Sequence, residues 1–228
     1  MHKTMWEIRQ EAGSDTVELY IYSTVESDGW WWNSETSARH FKDELAKHPN
    51  AKEITVYINS LGGSVMEGIA IYNQLKRHPA HVTVQIDGFA CSIASVIAMA
   101  GDTVIMPKNT VMMIHNAWTI AVGNSKELHK AADDLEVINQ ASRQAYLEKA
   151  GGKLSEDKLT ELLDGETYLT AAQCMELGLI DSFGDDDADE DTGADPEQLT
   201  GMTVQQRLEQ ELMQRREKAV AALNKYFG

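Results

Sequence analysis

Residues 88–101 read G-F-A-C-S-I-A-S-V-I-A-M-A-G and lie where one hydrophobic pattern gives way to another. Before them, residues 81–87 alternate apolar and polar side chains, which is typical of a half-buried strand, and Gly88 is predicted to end that strand. Residues 93–100 are small and apolar without Pro or Gly, which favours a tightly packed helix. Ser92 is therefore predicted to lie at a strand-to-helix turn.

The position of Ser92 has two interpretations. A hydroxyl beside the unpaired N–H groups of a helix start can act as a nucleophile, while those groups stabilise an anion forming on a substrate carbonyl. Serine is also a preferred N-cap residue, so its side chain can simply accept a hydrogen bond from the first helical turn. The turn alone leaves both open, and other parts of the chain favour the nucleophile.

The composition narrows the class of protein. The 228 residues, 43% of them hydrophobic, suit one domain with an appendage. The 36 acidic and 20 basic side chains give a net charge of −16, which argues against nucleic acid or an anionic membrane as a partner. Cys91 and Cys174 are the only cysteines and lack metal-ligand spacing, so each is expected to be a small core residue.

Two further observations predict a soluble cytoplasmic protein. The N-terminal residues do not resemble a signal peptide, because charged residues interrupt them throughout. The uncharged stretch 88–101 is shorter than the roughly 20 residues that span a bilayer. A reducing compartment also fits the two unpaired cysteines.

Alternating strand and helix patterns along the chain predict a layered α/β fold. A strand, a Gly-Gly loop, a helix and a second strand form a right-handed crossover between parallel strands, and the next unit repeats this plan. Strands are predicted at residues 17–25, 53–58, 81–87, 104–106 and 110–115, and helices at residues 37–48, 65–78 and from about Ser92 onward.

The loop N-S-L-G-G-S at residues 59–64 contains two adjacent glycines after a predicted strand. Its spacing is not that of a phosphate-binding loop. A glycine pair at a strand end lets the backbone approach a ligand closely and expose its N–H groups. An oxyanion hole needs donors of this kind.

A long helix is predicted at residues 125–150, with Asn124 and Glu127 as a capping box and Gly151-Gly152 as its end. Its apolar stripe can pack either against a neighbouring subunit or on the body of the protein. Thr170 and Gln173 form a second capping box near the end of the domain.

The chain is predicted to contain a main domain, a linker and a tail. The main domain covers residues 1–183. Residues 184–202 are expected to be a flexible linker, because eight acidic residues between 185 and 197 have no basic neighbour. Residues 203–228 are predicted to form an appended helix. Trp30, Trp31 and Trp32 are interpreted either as an interface or as a lid on the body.

His115 is the only histidine embedded in an apolar strand, V-M-M-I-H. A serine peptidase needs a nucleophile, an imidazole base, a group that orients this base and donors for the oxyanion. His115 is the candidate base, although a neutral buried histidine bonded to the backbone would explain the same position.

Four segments in this order resemble the proteolytic subunit of the Clp proteases. The likeness is greatest to the phage and prophage branch, which is associated with head maturation, and it covers roughly residues 15–183. The segments are I-N-S-L-G-G-S, G-F-A-C-S-I-A-S, N-T-V-M-M-I-H and E-T-Y-L-T-A-A-Q-C-M-E-L-G-L-I-D.

The resemblance implies a crotonase-like α/β fold of repeated β-β-α units with a projecting handle helix. It implies serine endopeptidase activity with Ser92 as nucleophile and His115 as general base. The N–H groups of Gly63 and Ile93 would form the oxyanion hole, and neither a metal nor an organic cofactor would take part. Implied partners are protein or peptide substrates and further copies of the chain in a ring, as a heptamer or stacked heptamers.

Three departures from the family pattern stand out. Leu61 replaces the usual Pro of the glycine loop, and the acid position holds Glu166 instead of Asp. Asp164 is the alternative acid, or a turn residue bonding its own backbone. The linker and tail lie outside the resemblance. The surface grooves and N-terminal loop by which the family docks to a hexameric ATP-driven unfoldase have no match here. Such an unfoldase and phage capsid proteins are the further partners that the resemblance implies.

Two other functions stay open. A crotonase-type acyl-CoA enzyme also uses a Gly-Gly oxyanion loop, but it would give Ser92 and His115 no shared role. In an inactive assembly module, the same residues would be structural only.

Overall fold

The computed structural model describes residues 6–10, 14–26, 37–184 and the single positions 213, 217, 220 and 221. The strands are β1 Trp6–Arg9, β2 Thr16–Ile21, β3 Glu53–Ser60, β4 His81–Cys91, β5 Thr103–Ile105, β6 Val111–Ile114 and β7 Thr167–Thr170. The helices are α1 Ala38–Leu45, α2 Val65–Arg77, α3 Ile93–Ala98, α4 Ser125–Ala150, α5 Glu156–Asp164 and α6 Ala171–Glu176.

The described strands form one seven-stranded sheet in the order β1-β2-β3-β4-β6-β7, and β5 also pairs with β4. Strands β2, β3, β4, β5 and β6 pair in parallel, whereas β1 and β7 are antiparallel to their neighbours. The predicted α/β fold of repeated strand and helix units is confirmed. Strands β1 and β7 were not predicted.

Matched apolar positions on three neighbouring strands build the core. The register aligns alternate residues of β2, β3 and β4 in rows, and every side chain in these rows is at most 2% exposed. Burying one such side chain stabilises the fold by about 1.5–3 kcal/mol. The rows are Val17-Ile54-Val82, Leu19-Val56-Val84 and Ile21-Ile58-Ile86.

The prediction that Gly88 ends its strand is wrong, because β4 continues to Cys91. The pairing with β3 shifts between Ile58 and Ser60, and an interior glycine often marks such a bulge. A Cβ at Gly88 would lie 2.7 Å from Asn59 Oδ1, which accepts a hydrogen bond from the Phe89 N–H. Glycine therefore lets the Asn59 side chain fill the bulge.

The additional residues of β4 have a separate partner. Residues 83–85 pair with β5, whereas residues 89–91 pair with β6. Because all three strands are parallel, the carboxyl ends of β4 and β6 lie at the same edge of the sheet. This edge is where α/β proteins usually bind ligands.

Both predicted capping boxes are present. The Asn124 side chain accepts from the Glu127 N–H, and the Glu127 carboxylate accepts from the Asn124 N–H. Thr170 and Gln173 make the same reciprocal pair before α6. Cys91 and Cys174 are buried core residues that form no disulfide, as predicted, and burial raises the pKa of the Cys174 thiol to about 12.

The chain divides into two compact units. One consists of residues 1–116 and 139–188 and contains the described sheet, and the other consists of residues 117–138 and 189–228. Helix α4 begins in the second unit and ends in the first, and its 26 residues confirm the predicted long helix. Leu128 and Val137, in the second unit, have exposed side chains.

Several expectations fall largely outside the described residues. These are the placement of Trp30, Trp31 and Trp32, the acidic linker and most of the C-terminal helix. The four described tail positions are helical and exposed. Within the described part of the chain, every helix is too short or too polar to cross a bilayer.

Candidate active site

Ser92 occupies the predicted strand-to-helix turn, between the end of β4 and the start of α3. It precedes the first helical residue, yet its side chain makes no capping hydrogen bond. Instead, Ser92 Oγ lies 2.7 Å from His115 Nε2. Ser92 thus occupies the N-cap position of α3, but the interpretation that its side chain only caps this helix is wrong. Its hydroxyl is paired with an imidazole.

The backbone of Ser92 has an uncommon conformation that aims its side chain. Its φ of 55° and ψ of −130° depart from both strand and helix values. The N–H of Ser92 donates to the Met113 carbonyl at 2.8 Å, and Met113 also pairs with Cys91 in the sheet. The turn is thus anchored to β6, the strand that leads to the imidazole.

His115 immediately follows β6, and its side chain is half-buried. Since β4 and β6 are neighbouring parallel strands, the residues that follow them lie side by side. Cys91 pairs with Met113, which brings Ser92 and His115 to the same edge of the sheet. The predicted nucleophile and base are therefore brought together, although 23 residues separate them in sequence.

The glycine loop lies against Ser92. Gly62 has a φ of +87°, and a Cβ there would lie 2.6 Å from Ser92 Cβ and 3.1 Å from Ile93 N. Gly63 has a φ of +150°, and its Cβ would lie 2.0 Å from the Val25 carbonyl oxygen. The loop needs glycine at both positions, for its conformation and for its close contacts.

Two backbone N–H groups belong to the segments that border Ser92, one in the glycine loop and one at the start of α3. The Val25 N–H donates to the Gly62 carbonyl at 2.9 Å and the Ser64 N–H donates to the Val25 carbonyl at 2.5 Å, so the Gly63 N–H takes no part in this bridge. Ile93 is the first residue of α3, where helices lack an internal partner for the N–H. Neither N–H has an acceptor among the described residues.

Glu166 immediately precedes β7, the strand that pairs with β6. Strands β6 and β7 are antiparallel, and their last pair is Ile114 with Thr167. His115 follows Ile114 and Glu166 precedes Thr167, so each borders this last pair. Glu166 is exposed, and its φ of 46° is left-handed.

Asp164 is the last residue of α5, and its Oδ1 accepts a hydrogen bond from Asn116 Nδ2 at 2.6 Å. Its interpretation as a turn residue bonding its own backbone is wrong. This carboxylate instead holds the amide of the residue after His115. Because Asn116 lies beyond the apolar strand that drew attention to His115, the sequence pattern did not indicate this contact.

Sequence reasoning also missed two buried hydroxyls beside the serine. Ser95 Oγ donates to the Ser92 carbonyl at 2.5 Å and lies 2.6 Å from the hydroxyl of Tyr146. Ser95 lies one helical turn after Ser92, a spacing that could have indicated the first contact. Nothing in the pattern around Tyr146, 51 residues further on, could have indicated the second.

Comparison with known proteins gives consistent matches. The family model described as Clp protease matches residues 36–187. An ATP-dependent Clp protease proteolytic subunit of Ligilactobacillus salivarius is 34% identical over 142 residues, which cover 61% of this chain and 71% of that protein. A protein of the same description from Pleurastrum terricola is 30% identical over 141 residues, which cover 60% and 70%.

Proposed function

Because this chain belongs to the Clp protease family, we propose that it is a serine endopeptidase that cleaves peptide bonds through an acyl-enzyme. The single observation that carries the proposal is the 2.7 Å contact between Ser92 Oγ and His115 Nε2. This distance is within the range in which an imidazole can take a hydroxyl proton. Family membership supports peptidase activity, and the contact supports these two residues as its centre.

In the proposed reaction, His115 Nε2 takes the Ser92 proton while Oγ attacks the carbonyl carbon of the substrate. The carbonyl oxygen becomes an oxyanion, to which the N–H groups of Gly63 and Ile93 donate. His115 then gives its proton to the leaving amine, and an ester on Ser92 remains. Water, activated by the same imidazole, cleaves this ester and regenerates the serine.

We propose Glu166 as the acid that orients His115. The register of β6 and β7 supports this role, because its last pair, Ile114 with Thr167, joins the residue before His115 to the residue after Glu166. An acid in this role holds the imidazole in the tautomer that leaves Nε2 free to accept the proton. Asp164 is the weaker candidate, since its Oδ1 is bonded to the Asn116 amide.

A fluorophosphonate probe tests the proposal, because it reacts with serines that an adjacent base activates. We expect stoichiometric labelling at Ser92, located by peptide mass spectrometry, and none in Ser92→Ala. His115→Ala should also prevent labelling while the protein stays folded. A folded wild type that is not labelled would refute the peptidase and favour the inactive assembly module.

The acyl-CoA alternative is less well supported. A crotonase-type reaction would use the glycine loop for a thioester oxyanion, but it assigns no role to a serine bonded to an imidazole. The contact between Ser92 and His115 weighs against it. Turnover of a peptide, with none of an enoyl-CoA, would exclude this alternative.

We further propose that the chain assembles into a ring, as a heptamer or stacked heptamers, with helix α4 as a projecting handle between subunits. The exposed side chains of Leu128 and Val137 on α4 support this use of the helix. The two relatives are described as proteolytic subunits of ATP-dependent proteases, which favours an ATP-driven unfoldase as a partner here. A monomeric mass by light scattering at micromolar concentration would contradict the ring.

The substrates that we propose are proteins or peptides, including phage structural proteins. The four sequence motifs support the phage substrates, because the motifs resemble the phage and prophage branch of the family most. We also propose that residues 1–183 are the peptidase domain, followed by a linker at 184–202 and an appended helix at 203–228. Shortening of a phage capsid precursor by the wild type, but not by Ser92→Ala, would support this substrate class.

A further inference from the structure

The carbonyl of Ser92 accepts two hydrogen bonds from one residue. The Ser95 N–H donates to it at 3.0 Å, and the Ser95 hydroxyl donates to it at 2.5 Å. Ser95 is completely buried. Its Oγ also lies 2.6 Å from the hydroxyl of Tyr146 on α4, a side chain that is 1% exposed.

Counting protons sets the direction of this chain of hydrogen bonds. A carbonyl oxygen can only accept, so the single proton of the Ser95 hydroxyl is directed to the Ser92 carbonyl. Ser95 Oγ must then accept from Tyr146, whose hydroxyl is the donor. Burial raises the pKa of Tyr146 above its ordinary range, so this hydroxyl keeps its proton at alkaline pH.

The Ser92 carbonyl and the Ile93 N–H belong to the same peptide unit. This unit is planar and trans, so an orientation imposed on the carbonyl also sets the direction of the N–H. Hydrogen bonds in a chain polarise one another, so a carbonyl that accepts two of them makes its peptide N–H a stronger donor. The Ile93 N–H is one of the two donors of the proposed oxyanion hole.

We propose that Ser95 and Tyr146 are positioning residues for the oxyanion hole, an inference that rests on the proposed peptidase function. The pair holds and polarises the peptide between Ser92 and Ile93 on the side opposite the substrate. It thereby keeps the Ile93 N–H directed at the carbonyl oxygen of the scissile bond. Tyr146 acts only through Ser95, and Ser95 only through the Ser92 carbonyl.

The alternative is that the two hydroxyls only satisfy each other in the core. Both interpretations predict some loss of stability on removing either hydroxyl, so unfolding does not distinguish them. Only the positioning role also predicts a lower rate of acylation with little change in substrate binding. Oxyanion contacts strengthen in the transition state, so their loss lowers kcat more than it raises KM.

The experiment uses Tyr146→Phe and Ser95→Ala in the full-length chain, with Tyr72→Phe as the matched control. Tyr72 is also largely buried, but its hydroxyl donates to Glu148 on α4 instead of to Ser95. The readouts are kcat and KM on a fluorogenic peptide and the affinity for a peptide aldehyde. The aldehyde forms a tetrahedral adduct whose oxygen occupies the oxyanion hole.

We expect kcat to fall about 10-fold in Tyr146→Phe and further in Ser95→Ala, less than the loss of a whole oxyanion donor. KM should change little in either variant. Aldehyde affinity should fall in parallel with kcat, and Tyr72→Phe should match the wild type in all three. The shape of the pH–rate profile should be unchanged, because Tyr146 stays protonated over the working range.

The double variant gives the sharpest test. If Tyr146 acts only through Ser95, then Tyr146→Phe should lower kcat no further in the Ser95→Ala background. Additive effects, or single variants with wild-type kcat and aldehyde affinity, would overturn the inference and leave the peptidase intact. If Tyr146→Phe failed to fold, Ser95→Ala would still decide between positioning and structure. A wild type that the fluorophosphonate does not label would overturn the proposed function and this inference with it.

Discussion

Ser92 and Glu166 are the two non-glycine residues with left-handed φ among those described, at 55° and 46°. Each is a proposed member of the catalytic triad, and each directly borders a strand of the site. Their surroundings differ. Ser92 is half-buried and its backbone is bonded on both sides, to Met113 and to Ser95, whereas Glu166 is exposed and its N–H donates to the Leu163 carbonyl of the preceding helix.

The difference shows two ways of keeping an unfavourable backbone conformation. A left-handed φ costs about 1–2 kcal/mol for a residue with a Cβ. At Ser92 the buried hydrogen bonds impose this conformation, so it should persist whatever side chain is present. At Glu166 the unfavourable conformation lies at the surface. A substitution there should therefore change stability through the backbone and activity through the lost side chain, as two separate effects.

Ser92→Ala should reduce peptide turnover more than any other variant, by about 10⁵-fold, because the nucleophile is gone. The backbone should keep its conformation, so the folded state and its assembly should remain. The measurement is peptide turnover together with circular dichroism.

Ser155→Ala is the contrasting control, because Ser155 is a true cap whose side chain accepts from the Lys158 N–H. It should lose about 1 kcal/mol of stability and keep full turnover. Residual activity above a few per cent in Ser92→Ala would show that another group supplies the nucleophile.

Next in size is Glu166→Gln, which should lower kcat by about 10²–10³-fold because the imidazole loses its orienting charge. Asp164→Asn is the isosteric comparison, and its kcat should stay within a few-fold of the wild-type value. Steady-state kinetics on both variants decides between the two carboxylates. The reverse pattern would assign the acid to Asp164, and two silent variants would indicate a Ser-His dyad.

A smaller effect is expected from Gly62→Ala, where strain and steric clash combine. The added Cβ would lie 2.7 Å from the Cys91 carbonyl oxygen as well as against Ser92 Cβ. We expect a loss of about 2–3 kcal/mol in the free energy of unfolding, since the φ is also unfavourable for alanine, and a clear drop in kcat.

Gly152→Ala is the matched control for Gly62→Ala. Its φ of +90° is nearly the same, but nothing lies within 4 Å of the added Cβ. It should lose only the conformational cost, about 1 kcal/mol, and keep its activity. Equal losses in the two variants, measured by urea unfolding, would mean that the clash with the serine turn is relieved without cost.

The smallest effect concerns stability at Glu166. Because glycine adopts a left-handed φ readily, Glu166→Gly should be more stable than Glu166→Ala by about 1 kcal/mol. At Glu161, an exposed helical position of α5, the same pair should have the opposite order, because alanine favours a helix. If the glycine and alanine variants had the same order of stability at Glu166 and at Glu161, the left-handed φ of Glu166 would have no effect on stability. The contrast between Ser92 and Glu166 would then be lost. Urea unfolding of the four variants provides the measurement.

The local parts of the fold were readable from the sequence. Alternation marked the buried rows of β2, β3 and β4, and the spacing of polar residues marked the capping boxes at Asn124 and Thr170. These features depend on residues within a few positions of one another, so periodicity and local hydrogen bonding are sufficient to predict them.

Strand ends and added strands were less predictable. Gly88 looked like a strand end, yet β4 continues through it to pair with β6. A glycine is compatible with either outcome, and the choice depends on Asn59 from the neighbouring strand. Strand β7 was missed for a related reason, because its four residues are recognisable as a strand only when paired with β6.

The amino-acid pattern is sufficient to predict the α/β class, the strand-to-helix turn at Ser92, the candidate base at His115 and the family resemblance. The folded structure is needed to show that the Ser92 hydroxyl is bonded to His115 instead of capping α3, and that Tyr146 contacts the same turn through Ser95. The reason is physical. Composition and spacing set which groups are available, but contacts between distant segments depend on strand register, which every paired residue sets together.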